Sequence, residues 1–111
     1  MGKAVVTINV ALPGGPVSGK YVCASTLSTS NINLGFVPRY FKTWNATDTD
    51  VSLEWTADMA AGTGITDAGA AVASGGITAV QQTDGTNFGV TVGTDASCQE
   101  IAKTYNFVAF R

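Results

Sequence analysis

The chain has 111 residues, a formal net charge of −2 and no histidine. It fits a single domain, offers no basic stripe for a phosphate backbone, and lacks the commonest general base, proton shuttle and metal ligand. Nucleic-acid binding and a conventional hydrolase triad are therefore excluded, and neither enzymatic activity nor any cofactor or metal is expected. Hydrophobic residues make up 45% and charged residues only 13%, so the surface must be largely Ser, Thr, Asn and Gly. Such a surface is cheap to desolvate, because burying a hydrogen-bonded hydroxyl costs far less than burying an unpaired charge.

Residues 3 to 12 alternate Ala4, Val6, Ile8, Val10 and Leu12 against Val5, Thr7, Asn9 and Ala11, the period of a strand. Thr7 and Asn9 interrupt the run, and Pro13 closes it. It is too short to span a bilayer and too polar for a secretory h-region, so no membrane association is expected. Gly2 is followed at position 6 by Val6, where myristoylation wants Ser or Thr. Pro13-Gly14-Gly15-Pro16 breaks the strand and makes a hinge. Residues 1–16 are thus either an edge strand of their own domain or an arm that completes a neighbour's sheet, and residues 17–111 form one β-domain.

Val17 to Ser25 reads as a second strand, with Tyr21 and Cys23 on one side and Lys20, Val22 and Ala24 on the other. A Ser/Thr-rich loop ends in a short strand at Ile32 to Leu34, punctuated by Gly35, and Pro38 sits early in the next strand. From Leu34 to Asp58 two strands flank a polar turn. Val51, Leu53 and Trp55 alternate with Ser52 and Glu54, whereas Tyr40, Phe41, Thr43 and Trp44 are β-formers on both faces and predict a central strand covered on both sides. Asn45 to Asp50 supplies the side chains that cap a hairpin loop. Asn45-Ala46-Thr47 is formally a glycosylation sequon and reads more simply as turn chemistry.

Met59 to Gly64 reads as a loop. Asp67 to Ser74 has some support as a short helix, capped by Asp67 and Gly75, with strand or coil as good a reading because Gly69 weakens it. Strands at Ile77 to Gln82 and Phe88 to Val92 flank Asp84-Gly85, a strong hairpin signal. The chain ends on Thr104 to Phe110, apolar on both faces and so internal to a sheet. Seven to nine short strands predict an all-β, single-domain antiparallel β-sandwich or small β-barrel with an N-terminal strand or arm. Cys23 and Cys98 have no metal-ligand spacing; two reduced thiols are the simpler reading, with a bridge left open.

Glu54, Asp58 and Asp67 read as solvated carboxylates rather than a catalytic pair. Asp48-Thr49-Asp50 lacks the rest of a calcium loop, since Ser52 and Leu53 break that pattern, and Asp48 reads as a turn cap. The glycines at 62, 64, 75 and 76 match no phosphate-loop spacing. Trp44, Trp55, Tyr40 and Phe41 would suit a sugar-stacking platform, but their strand spacing assigns them to the core.

Gly35, Phe36, Pro38, Asn45, Thr47, Asp48, Glu54, Trp55, Met59 and Gly62, with Ser74-Gly75-Gly76-Ile77, the Phe88-to-Thr94 strand and the Phe-Val-Ala-Phe-Arg ending, resemble small virion structural proteins of tailed bacteriophages. The resemblance covers roughly residues 34 to 111; Cys98-Gln99-Glu100 and the N-terminal segment fall outside its pattern. It implies a protein made in the host cytoplasm and carried in the virion. The role implied is a capsid decoration or cement protein, oligomeric on the particle, whose partner is the major capsid protein or another virion protein. A tail, baseplate or head-fibre component is the alternative within viruses, and a carbohydrate-binding β-module the alternative outside them. For the decoration role the expected assembly contacts are Val5, Thr7, Asn9, Ala11 and Pro13 in the N-terminal segment, and Gly62, Gly64, Asp84 and Gly85 in exposed loops.

Overall fold

The computed structural model describes residues 5–10, 17–22, 29–81 and 88–111. Among them the chain forms β1 (Val5–Val10), β2 (Val17–Val22), β3 (Ser30–Asn33), β4 (Tyr40–Asn45), β5 (Ser52–Thr56), β6 (Thr63–Thr66), β7 (Ala71–Gln81), β8 (Phe88–Val92) and β9 (Thr104–Phe110), with no helix. All nine belong to one antiparallel sheet in the order β1-β2-β9-β4-β5-β6-β7-β8-β3.

One face of this sheet carries the core. Val17 and Tyr21 of β2, Ile32 of β3, Phe41 of β4, Leu53 and Trp55 of β5, Ile77 of β7, Val90 and Val92 of β8 and Tyr105, Phe107 and Ala109 of β9 are all buried. A single sheet with one apolar face has nothing to cover that face except itself, and the right-handed twist of its strands lets it roll up. It curls into a half-barrel with extents of 31 × 29 × 26 Å. The barrel-like alternative therefore holds over the two-sheet sandwich.

An aromatic row crosses three neighbouring strands. Tyr21 stacks on Tyr105 with centroids 5.7 Å apart, and Phe107 lies 6.2 Å from Tyr21 and 5.5 Å from Phe41. The register explains the row, since Tyr21 pairs with Tyr105 and Phe41 with Ala109, so Phe107 sits diagonally between Tyr21 and Phe41.

The β4–β5 hairpin forms as predicted, with Phe41 opposite Trp55 and Thr43 opposite Leu53. β4 is central, but its outer face is not covered: Tyr40, Lys42 and Trp44 are only half-buried. Trp44 thus belongs to the outer surface rather than the core, because the one sheet has no second layer to lay over it. β9 is internal, lying between β2 and β4, and β7 pairs with β8 from Ile77↔Val92 to Gln81↔Phe88.

Residues 67–74 form a turn and the start of β7, so the short-helix alternative fails. Gly69 takes a φ of 80° and Gly75 also 80°, the left-handed region that breaks a helix and suits a turn and a bulge. The bulge is visible in the register, which shifts from Gly64↔Val72 to Thr63↔Ile77. The loop expected over Met59 to Gly64 is shorter than predicted, since Thr63 and Gly64 already belong to β6.

Candidate functional site

The expected assembly residues that are described fall in two places. Val5, Thr7 and Asn9 lie in β1, an edge of the sheet that among the described residues pairs with β2 alone, from Val5↔Val22 to Val10↔Val17. Ala11, Pro13, Asp84 and Gly85 lie outside the described residues. Gly62, half-buried with a φ of 78°, turns the chain into β6; its N–H donates to Ile77 O, and its carbonyl accepts from Gly76 N–H. Gly64 is buried rather than displayed on a loop, and a Cβ there would lie 2.6 Å from Leu53 Cδ1. Its missing side chain serves the packing of β6 onto β5.

The polar turn after β4 is built by Asn45. Its Oδ1 accepts from the Asp48 N–H at 2.8 Å, and its carbonyl accepts from the Thr49 N–H, which lets Thr49 adopt a φ of 56°. Asp48 instead receives Lys103 Nζ at 3.2 Å, so the cap expected of Asp48 is made by Asn45. Asn45 is fully buried and its amide is spent on the turn, as the turn reading of Asn45-Ala46-Thr47 expects.

Beside this turn the outer face carries a polar and aromatic row. Asn106 of β9, Trp44 of β4 and Ser52 of β5 stand opposite one another, and Asp67 continues the row because Thr66 pairs with Leu53. Adjacent strands are ~4.8 Å apart, so these side chains are neighbours. Trp44, Asn45, Thr49, Asp50, Val51, Ser52 and Asp67 line an open cleft of about 200 Å³. The two tryptophans divide their work: the buried Trp55 donates its indole N–H to Ala60 O at 3.2 Å, whereas the Trp44 N–H has no acceptor among the described residues. Trp44, expected in the core with Tyr40, Phe41 and Trp55, instead lies on the face opposite Phe41 and Thr43, and Asp67 reaches the cleft only through the register of β5 with β6.

The interior holds a second polar group. The segment after β8 folds in against β7, with Asp95 N–H donating to Gly75 O, Gln99 Nε2 to Gly93 O and Tyr105 OH to Ala96 O. Tyr21 OH donates to Cys98 O and lies 2.8 Å from Thr43 Oγ1, which donates to Asn106 O. The Cys98 thiol is free, buried, and faces the carbonyls of Gly75, Asp95 and Gly93 at 3.3, 3.4 and 3.6 Å. Such groups are satisfied, and they make a structural plug rather than a reactive site. Among the described residues no three His, Cys, Asp or Glu side chains come together as a metal site.

Burial sets the titration of this interior. Desolvation pushes the Cys98 thiol up to about 12, with the Asp95 charge adding to it. Tyr21 and Tyr105 are raised, again by desolvation first. Tyr40, on the outer face, goes up to about 12 through desolvation and then its hydrogen bond to Glu54. A group whose folded pKa is raised holds its proton more tightly in the native state, so its stabilisation is intact below the unfolded value and falls as pH climbs through the folded one. With no histidine, stability should be flat around neutrality, then fall from the ordinary thiol and tyrosine values of 9.0 and 10.0 towards about 12. Tyrosinate absorbance and circular dichroism followed in one alkaline titration should show Tyr21 and Tyr105 ionising together with unfolding. Alkylation of the Cys98 peptide should begin at the same pH, and free titration of all three tyrosines in a folded protein would contradict this.

The chain matches no family model, no curated protein and no solved structure.

Proposed function

We propose that this chain is a structural protein of the tailed-bacteriophage virion, a decoration or cement protein that binds the assembled capsid shell. The observation that carries the reading is the place of β1 at a sheet edge, in a chain whose sequence continues into Pro13-Gly14-Gly15-Pro16. An edge strand offers an unpaired row of N–H and C=O groups to a neighbouring chain, and main-chain pairing needs no charged side chains. The low charge, 13% of residues, supports the same reading because it lowers the cost of desolvating a broad contact. A protein that binds only the assembled shell stabilises it by mass action. The phage setting is proposed from the pattern resemblance of residues 34 to 111 alone.

Deletion of residues 2–13 tests this. The remaining domain should stay folded, because β2 keeps its pairing with β9 from Val17↔Ala109 to Val22↔Thr104 and Tyr21 keeps its place in the core. Light scattering of the truncated protein, alone and mixed with empty capsids, should show loss of shell binding, with circular dichroism unchanged. Normal decoration by the truncated protein would remove the role of the N-terminal segment, and failure of the intact chain to bind shells would remove the decoration role itself. Binding to isolated tails or baseplates instead would favour the alternative location.

A further inference from the structure

We propose that the Trp44 cleft is a binding subsite for one neutral pyranose residue of a saccharide, a function separate from shell binding. Three observations converge on it. The cleft, at about 200 Å³, is smaller than the ~300 Å³ at which drug-sized pockets begin and suits a single sugar ring. Trp44 lines it, half-buried on the outer face and outside the core cluster. The remaining lining includes Asp50, Asp67, Ser52 and Thr49, polar residues from two separate turns and β5.

The inventory of donors and acceptors selects the ligand. Among the described residues Asp50 and Asp67 accept no hydrogen bond and the Trp44 N–H makes none, although the Asp50 charge acts on Tyr105. The Thr49 hydroxyl spends its proton on Asp48 O at 2.7 Å and is left as an acceptor. An occupant that replaced solvent at all three groups would donate to two carboxylates and accept from an indole. Phosphate, sulfate and acidic sugars are repelled, since no Lys or Arg lines the cleft. Ammonium and guanidinium groups donate but carry no acceptor. A sugar hydroxyl both donates and accepts, and a pyranose also presents a C–H face for the indole. The site of the Trp44 platform is thus narrower than an aromatic cluster: Phe41 and Trp55 are buried and take no part.

Two tryptophans in the chain give two indole N–H resonances, which makes the test specific. Methyl glycosides of glucose, galactose, mannose and N-acetylglucosamine would be titrated into ¹⁵N-labelled protein, with methylguanidinium as the cationic comparison. At least one glycoside should shift the Trp44 indole resonance saturably in the millimolar range and leave Trp55 unmoved. Asp67→Asn should weaken that binding ~10-fold or more, because it replaces a charged acceptor. Trp44→Ala should abolish it while the Trp55 resonance and the circular dichroism stay native. The proposal is overturned by no saturable shift with any of the four glycosides, by saturation with methylguanidinium alone, or by binding that survives both substitutions. Asp50→Asn, on the opposite turn, provides a second exposed position should Asp67→Asn disturb the fold.

Discussion

Phe107→Ala is expected to destabilise the protein by about 3–5 kcal/mol, the cost of removing a large aromatic side chain from a packed interior. Phe107 is 1% exposed and is the one ring that touches both neighbours in the aromatic row, Tyr21 on β2 and Phe41 on β4. Its loss leaves a cavity at the middle of the β2-β9-β4 ladder, where the backbone is held on both sides and cannot collapse into it. Against a typical total of about 5–15 kcal/mol, that is a large share of the stability. Urea unfolding followed by circular dichroism measures it, and Phe110→Ala is the control. Phe110 lies on the same strand but faces out, is 44% exposed, and makes one edge contact with Tyr40, so its truncation should cost about 1 kcal/mol or less. Equal costs at the two positions would mean that the inner face of the sheet is not the core.

The second large effect is expected at Gly89→Ala. Gly89 is buried in β8 opposite Asn33 of β3, and a Cβ there would run into the Ile32 carbonyl oxygen and lie 3.0 Å from Leu34 N. Both are backbone atoms, so no rotamer change relieves the clash. The approach is this close because Phe88 O accepts from both the Leu34 and Gly35 N–H groups, at 2.8 and 3.0 Å, which draws the end of β3 over Gly89. An alanine forces β3 away from the sheet edge and exposes Ile32 and Leu34, costing about 3 kcal/mol from the two side chains. Amide exchange of Leu34 and Gly35 should speed up far more than that of β4 and β9, since β3 is an edge and opens without the centre. Uniform acceleration across the sheet, or none, would contradict this local picture.

The strands that alternate strictly were the most legible. β5, β8 and the β4–β5 hairpin follow from Leu53 and Trp55, from Phe88 to Val92, and from the Asn45 turn, where local pattern and tertiary burial agree. β6 and the first half of β7 were harder to read, because Thr63-Gly64-Ile65-Thr66 and Ala71-Val72-Ala73-Ser74 are small or glycine-bearing segments. Their strand state comes from pairing with each other and with β5, a non-local term that propensity does not contain. Gly75, offered as the C-cap of a possible 67–74 helix, instead lies within β7 at the bulge in the β6–β7 register.

The cleft shows the same division. Trp44 and the polar Asn45-to-Asp50 turn stand out in the sequence, but an alternating strand that is aromatic on both sides looks identical whether a second layer covers it or not. One sheet curled on itself has a single interior, so the side facing Phe41 and Thr43 was buried and the side bearing Tyr40, Lys42 and Trp44 was left at the surface.

By itself the sequence determined an all-β chain with no histidine, few charged residues, a Pro/Gly-rich segment after its first strand and a central aromatic hairpin. Only the tertiary structure decided that nine strands make one sheet rather than two, that Gly64 is a packing residue, and that Asp67 stands beside Trp44. Alternation specifies which residues share a face, whereas what covers that face depends on the order and register of strands distant in the chain.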